Sequence, residues 1–220
     1  VLWFDERGVS ERVYSKIHLV PFSESVPFKY SWGRLHRVLR SFVPPVMPQL
    51  NAGEEFTRFE LRRGSRTWYI VTPICFEGTF ARLCRKMVKQ GPKNNLILAN
   101  LSNDGWFVYR RGQGPYRGTT EQAQHLVHSV FRAVENRIPV VRSVNTGISA
   151  MINSNGEIKS VLELRVGEYR KRTMVAGVMQ CDVLVDSRRT LYSLYGDVFA
   201  ILVAFIALIM TVRVMCVKRK

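Results

Sequence analysis

The sequence predicts a layered α/β or α+β domain followed by one helix able to cross a bilayer. Short strand-like runs alternate with helical ones over the first 190 of the 220 residues. From Val198 to Val212 the chain reads VFAILVAFIALIMTV, without a charge. The chain is 46% hydrophobic and 23% charged, which fits one domain plus an anchor and excludes a disordered or collagen-like chain.

The elements follow in order. Residues 1–4 and 13–20 read as strands. Residues 22–48, rich in Pro, Ser and aromatics, read as a long loop with a short helix over 32–41. Residues 56–62 and 67–74 are strands around a turn at Arg63-Gly64-Ser65. Residues 76–90 predict a helix that Gly91-Pro92 stops. NLILANL, residues 95–101, is a buried strand. Residues 119–136 predict a helix capped by Thr119 or Thr120, its apolar face made by Ala123, Leu126, Val127, Val130, Phe131 and Val134. Residues 140–143 and 149–153 are strands around the turn-prone Asn145-Thr146-Gly147. Asn155-Gly156 turns a hairpin into 157–164, and 173–182 is a further strand. No internal repeat is evident.

Extending the apolar run back through LYSLYG, residues 191–196, reaches the roughly twenty residues that a bilayer requires. Asp197 is tolerable near an interface, where Tyr192 and Tyr195 also fit. Arg213, Lys218, Arg219 and Lys220 then place the C-terminus in the cytoplasm and the bulk of the chain on the opposite face. The all-round apolar pattern favours a span over a core helix, and the C-terminal position excludes a signal peptide. The expected domains are 1–190 and 191–220.

Lys and Arg number 33 against 17 Asp and Glu, a net charge of +16. The densest groups, Arg62-Arg63, Arg110-Arg111, Arg170-Lys171-Arg172 and Arg188-Arg189, are scattered. With no basic helix and no aromatic-interleaved signature, nucleic acid is not an expected partner; an anionic membrane surface fits better. The four cysteines form no CxxC pair and the four histidines lack ligand spacing. No metal or cofactor is expected.

Several short stretches carry chemistry. Cys75 stands where a strand is expected to turn into a helix, and backbone N–H groups at a helix N-terminus favour a thiolate and an oxyanion beside it. Taken alone, a cysteine at a strand end is more often a small buried hydrophobe. Glu77 is placed to hold a neighbouring group. Lys16, on a strand with one buried face, is either a fixed cation beside an oxyanion or a solvated lysine, and Glu24 is its natural partner. Asn103, Trp106 and Phe107, in LSNDGWF past a buried strand, suit one wall of a pocket or a capped loop. Arg132 and Glu135, three apart on a helix, can pair.

Taken in order, YSKIHLVPFSE, PICFE, LSNDGWF, Gln124-His125 and RAVENRIPVVRSVNTGISAMINSNGEI resemble the nitrilase superfamily, most closely its membrane-bound branch, the apolipoprotein N-acyltransferases. The resemblance covers roughly residues 13–158 and implies an αββα sandwich with a Glu-Lys-Cys triad. It makes Cys75 the nucleophile that takes an acyl chain from a phospholipid as a thioester. The acceptor it implies is the N-terminal diacylglyceryl-cysteine of an apolipoprotein. Lys16 becomes the triad lysine, Glu24 and Glu77 the supporting acids, and Trp106 and Phe107 aromatic residues near acyl chains. It also implies a bacterial inner-membrane protein of several spans, with its catalytic domain outside the cytoplasm. Here Ser23-Glu24 stands where the family has Gly-Glu, and SNDGWF where it has SNDAWF. The family's general-base glutamate lies well upstream of the lysine motif, but only fifteen residues precede Lys16, and neither Glu6 nor Glu11 fits that place. With the opening Val1, the expectation is an N-terminally incomplete sandwich, a C-terminal piece of a longer chain that is inactive alone. A nitrilase-family amidase and a non-catalytic membrane-anchored module are the alternatives.

Overall fold

The opening LWFD and GVSERV runs pair as an antiparallel hairpin, β1 (Leu2–Asp5) and β2 (Gly8–Val13). The computed structural model describes residues 1–5, 8–47 and 49–217. Glu6, and Lys218, Arg219 and Lys220 of the expected cytoplasmic tail, lie outside the described residues. The strand expected over 13–20 does not continue past Val13. Its backbone donors are used elsewhere: Ile17 and His18 N–H donate to the Glu77 carboxylate, and Val20 N–H to that of Glu24. The loop that follows holds α1 (Gly33–Ser41), close to where the sequence places it.

β3 (Arg58–Arg63) and β4 (Arg66–Val71) form the next hairpin, turning at Gly64 with φ of +56°. The helix expected over 76–90 is split. Cys75–Thr79 forms a 3-10 turn, Phe80 is extended, and α2 (Ala81–Lys89) begins only then. The Thr79 hydroxyl bonds back to the Phe76 carbonyl at 2.8 Å, and the Arg132 guanidinium takes the Thr79 carbonyl at 2.7 Å; both compete with helix bonding there. β5 (Leu96–Ser102) is followed by a small hairpin, β6 (Val108–Arg110) and β7 (Tyr116–Gly118). Then come α3 (Glu121–Asn136), β8 (Val140–Val144), β9 (Ala150–Ile152) and β10 (Ile158–Val161). A last hairpin joins β11 (Leu164–Val166) and β12 (Tyr169–Lys171). The strand expected over 173–182 does not form.

The main sheet has the order β10-β9-β8-β5-β4-β3. β4, β5 and β8 run parallel and its other neighbours antiparallel. This is the layered α/β class that the sequence predicts, with α2 and α3 packed together and α3 against β8 and β9. Register puts Tyr69 beside Leu96 and Val71 beside Leu98, so these four share a face. Val71, Leu96 and Leu98 are buried there with Leu83, Met87 and Ala133 from the two helices. Phe59 pairs with Ile70 on the opposite face, where Trp3 of β1 stacks on it at 5.7 Å.

α3 buries only part of the expected face, Leu126 in the core with Val130 packed against it, and adds a polar stripe beside it. Gln122, His125, Ser129, Arg132 and Asn136 are buried at helical spacing, while Val127 and Phe131 stay about half exposed. The polar stripe is buried because it has partners there: Gln122 donates to the Thr146 carbonyl, Arg132 to Thr79, and His125 pairs with Asp104. Thr120 supplies no side-chain cap; backbone carbonyls of Thr119 and Thr120 accept the first amides. Left-handed Arg137 ends the helix, and Ile138 N–H bonds back to the Ala133 carbonyl.

The apolar C-terminal helix starts later and runs further than expected. Residues 191–195 form a separate helix, α4 (Leu191–Tyr195), which Gly196 ends at φ of +74°. The long helix is α5 (Val198–Val217); within it Val198–Cys216 is long and apolar enough to cross a membrane, and none of it is buried against the domain. Arg85 holds the end of α4 by donating to the carbonyls of Tyr192, Ser193 and Leu194, and Lys89 donates to Leu194 at 2.8 Å. Arg82 faces Asp197 at 3.4 Å. Arg85→Ala is expected to weaken this joint by about 1–3 kcal/mol, read as faster amide hydrogen exchange in α4 with unchanged protection in β5; unchanged α4 exchange contradicts the assignment.

Candidate active site

Cys75 follows the end of β4, Asn103 follows β5, and Asn145 follows β8. The three are the carboxyl ends of adjacent parallel strands, the edge at which open α/β sheets place their ligands. A parallel bridge between Ile74 and Leu101 carries the pairing up to the cysteine. Cys75 has φ of +52°, a conformation that costs a non-glycine residue about 1 kcal/mol or more and that clusters at functional sites. Its Sγ lies 3.7 Å from the Asn103 carbonyl. Cys75 opens a five-residue 3-10 turn, so the helix dipole expected beside it is not there.

Asn103 is held rather than free. Its Oδ1 accepts from Asn145 Nδ2 at 2.7 Å and from Gly105 N–H at 3.1 Å. Asn145 Oδ1 in turn accepts from the amides of Asp104 and Thr146. Trp106 is 65% exposed on a short 3-10 turn, and half-buried Phe107 meets the His125 ring edge-on at 6.0 Å.

The segment carrying Lys16 is tied to the cysteine turn by Glu77. The Glu77 carboxylate is fully buried and accepts from Tyr14 Oη, Ile17 N–H, His18 N–H and Ile74 N–H, between 2.7 and 3.0 Å. Burial, with Glu77 beside it, pushes the Tyr14 phenol well above its ordinary value, so Tyr14 stays a donor. Lys16 lies between these anchored residues. Its ammonium is mostly buried and donates to both oxygens of Glu24, at 2.8 and 2.6 Å, while the same carboxylate takes Val20 N–H. Lys16 and Glu24 are thus together, and Glu77 stands one bonded link from each side of the site. Arg132 and Glu135 pair at 2.7 Å, and the same guanidinium donates to the Thr79 carbonyl at the end of the cysteine turn.

Behind the cysteine lies a buried polar network that the motif reading passes over. The Arg142 guanidinium, unexposed, donates to Asp104 Oδ2 at 2.7 Å and to Asn100 Oδ1. Asn100 Nδ2 reaches the carbonyls of Pro73 and Cys75 at 2.9 and 3.4 Å. Asp104 Oδ1 also binds Ser102 Oγ and His125 Nδ1. Burial alone would raise the Asp104 carboxyl; hydrogen bonds from His125 and Ser102 and the charge of Arg142 outweigh it and hold it below the usual range. The signal in the sequence is the charge at the centre of VVRSV, since arginine in a buried strand demands a partner. Gly147 leaves the space: a Cβ there would stand 2.3 Å from Asp104 Oδ2.

Asp104→Asn leaves Arg142 buried without its counter-charge and is expected to cost about 3–5 kcal/mol, read as a lower thermal midpoint in detergent. Because the Asp104 carboxyl is held down, its stabilisation is present above the ordinary aspartate value of about 4 and is lost as pH falls below it. The variant is expected to show a flatter acid limb than the parent; parallel limbs contradict this account.

Residues 1–178 match the carbon-nitrogen hydrolase family. Over 212 residues the chain is 32% identical to "Apolipoprotein N-acyltransferase 1" of Treponema denticola, covering 95% of this chain and 34% of that protein. Over 198 residues it is 34% identical to "Apolipoprotein N-acyltransferase" of Geobacter metallireducens, covering 90% of this chain and 32% of that one. The chain thus spans about a third of the length of these curated relatives. A solved NitN amidase from Nesterenkonia is 16% identical, with TM-score 0.41 over 70% of this chain and 48% of that one. With four-fifths of its length matched, the chain belongs to the carbon-nitrogen hydrolase family.

Proposed function

We propose that this chain carries the acyl-transfer site of a phospholipid–apolipoprotein N-acyltransferase. One arrangement supports the reading. A thiol at the ends of parallel strands and a Lys16–Glu24 pair tied to its turn by Glu77 stand on the same chain as an exposed helix long and apolar enough to cross a membrane. The names of the relatives agree with it. A soluble amidase has no use for α5.

In this reading the Cys75 thiolate attacks the ester carbonyl of a phospholipid. The tetrahedral oxyanion is stabilised by the Lys16 ammonium, which Glu24 orients, and by backbone N–H groups at Cys75 and Phe76. Collapse breaks the ester C–O bond, leaves the acyl group on Sγ and releases a lysophospholipid. The thiol proton goes to a base and from it to the leaving alcohol; we place that base upstream of Lys16, as in the family. The α-amino group of a diacylglyceryl-cysteine then attacks the thioester and gives its proton to the same base; the C–S bond breaks, the amide forms and the thiolate returns. Two steps with an activated sulfur replace one direct exchange between an ester and an amine. Trp106 and Phe107 border the acyl chain, and Asn103 sets the wall beside Sγ. Glu77 is a positioning residue, since all its contacts are to the protein. The placement that follows is the bacterial inner membrane, with the domain outside the cytoplasm, further spans in the full-length protein and α5 ending in the cytoplasm.

The test incubates the full-length protein in detergent with a phospholipid and weighs it intact. One fatty acyl chain is expected on the parent and none on Cys75→Ala. Lys16→Met is expected to slow acylation about 100-fold or more. Absence of an adduct combined with turnover of small amides overturns the acyltransferase reading in favour of an amidase. Glu77→Gln keeps the acceptor shape but not the charge, and is expected to lower the thermal midpoint along with the rate. A rate loss without any change in stability would instead make Glu77 catalytic.

A further inference from the structure

Lys93 follows α2 at the end away from Cys75; the nine residues of α2 between them span about 13 Å. Only 7% of Lys93 is exposed, and its ammonium has no hydrogen-bond partner among the described residues. It lines a cavity of about 170 Å³ with Lys89, Arg189 and Leu194. Leu194 lies in the last turn of α4, directly ahead of α5, so the cavity stands at the foot of the apolar helix.

The surroundings leave positive charge unanswered. Arg189 is exposed and has no ion pair among the described residues. Asp186 is already taken by Arg188 and by the Ser154 hydroxyl. Lys89 donates to the Leu194 carbonyl, and Arg137 to Asn155. Burial lowers the Lys93 ammonium to about 8; Asp186 opposes this and Arg189, Arg188 and Arg137 add to it. A buried cation among further cations, without a hydrogen-bond partner among the described residues and on a side chain that lines a cavity, calls for an anion with several acceptor oxygens.

We infer that this cavity binds a phosphate group, with Lys93 as its buried cation, Arg189 at its rim and a lipid headgroup at the foot of α5 as its source. The phosphate oxygens accept from the Lys93 ammonium, which Lys89 and Arg189 flank. The site does not rest on the chemistry of Cys75: it lies beyond the far end of α2 and shares no residue with the thiol turn. A phospholipid seated there fixes the height of the domain over the bilayer, because the same helix, α2, bonds α4 through Arg85 and Lys89.

The test uses the full-length protein in detergent, with Lys93→Met and Arg189→Gln. Two arms separate the sources of phosphate. In the first, native mass spectrometry counts phosphatidylglycerol retained from mixed micelles, against diacylglycerol as the phosphate-free control. In the second, the thermal midpoint is followed as inorganic phosphate replaces chloride at constant ionic strength. The parent is expected to retain at least fivefold more phosphatidylglycerol than Lys93→Met and at least threefold more than Arg189→Gln, with no such difference for diacylglycerol. Retention dependent on Lys93 assigns a lipid headgroup. A midpoint rise with inorganic phosphate that Lys93→Met abolishes, without that retention, keeps the phosphate site and assigns it to the free ion. Equal retention and equal midpoint shifts in parent and variants overturn the site. If Lys93→Met does not fold, the exposed Arg189→Gln decides: a parent-like result in both arms overturns it.

Discussion

A single buried carboxylate holds the site together. Glu77 accepts hydrogen bonds from four residues, three of them about sixty positions earlier in the chain. Such a group is tolerable in the interior only when its acceptor capacity is filled, so the carboxylate and its donors specify one another. The consequence is geometric. The irregular segment 14–20 cannot drift from the cysteine turn without stranding a buried charge, and Lys16 travels with it. The strand pairing given up over this segment is the exchange for the anchoring, because Ile17 and His18 each have one amide hydrogen to donate.

The same logic runs through the layer behind. Arg142, Asp104, His125 and Asn100 link three strand ends and one helix in a network shielded from water. An apolar core of the same volume would often be at least as stable. What the polar version adds is direction: Asn100 reaches the carbonyl of Cys75, and Asp104 stands one residue from Asn103, whose carbonyl faces Sγ. Positions at the thiol are thereby tied to strand register rather than to a mobile loop.

The domain is also tied to its apolar helix. α2 lies between the cysteine turn and the joint with α4, and its cationic residues Arg82, Arg85 and Lys89 hold α4 and Asp197. Arginine suits this role because its planar fork satisfies several carbonyls at once at a helix end. A rigid joint of this kind keeps the site at a set height over a bilayer when α5 spans one.

The sequence by itself determined what is local. The antiparallel hairpin at Gly64, the strand NLILANL, the turn at Asn155-Gly156, the extent of α3 and the apolar C-terminal helix all follow from periodicity, turn residues and length. The motif order also pointed to the family. Tertiary structure alone decided the rest. It chose the buried face of α3, where a stripe of Gln, His, Ser, Arg and Asn lies inside because strands distant in sequence supply its partners. It turned 14–20 from a strand into an anchored loop, split the helix after Cys75, and set α4 apart from α5. It also put Cys75 into a left-handed conformation that no local preference favours. The physical reason is common to all of these: hydrophobic periodicity is written in neighbouring residues, whereas a buried hydrogen bond needs its partner, and that partner is chosen only by the fold.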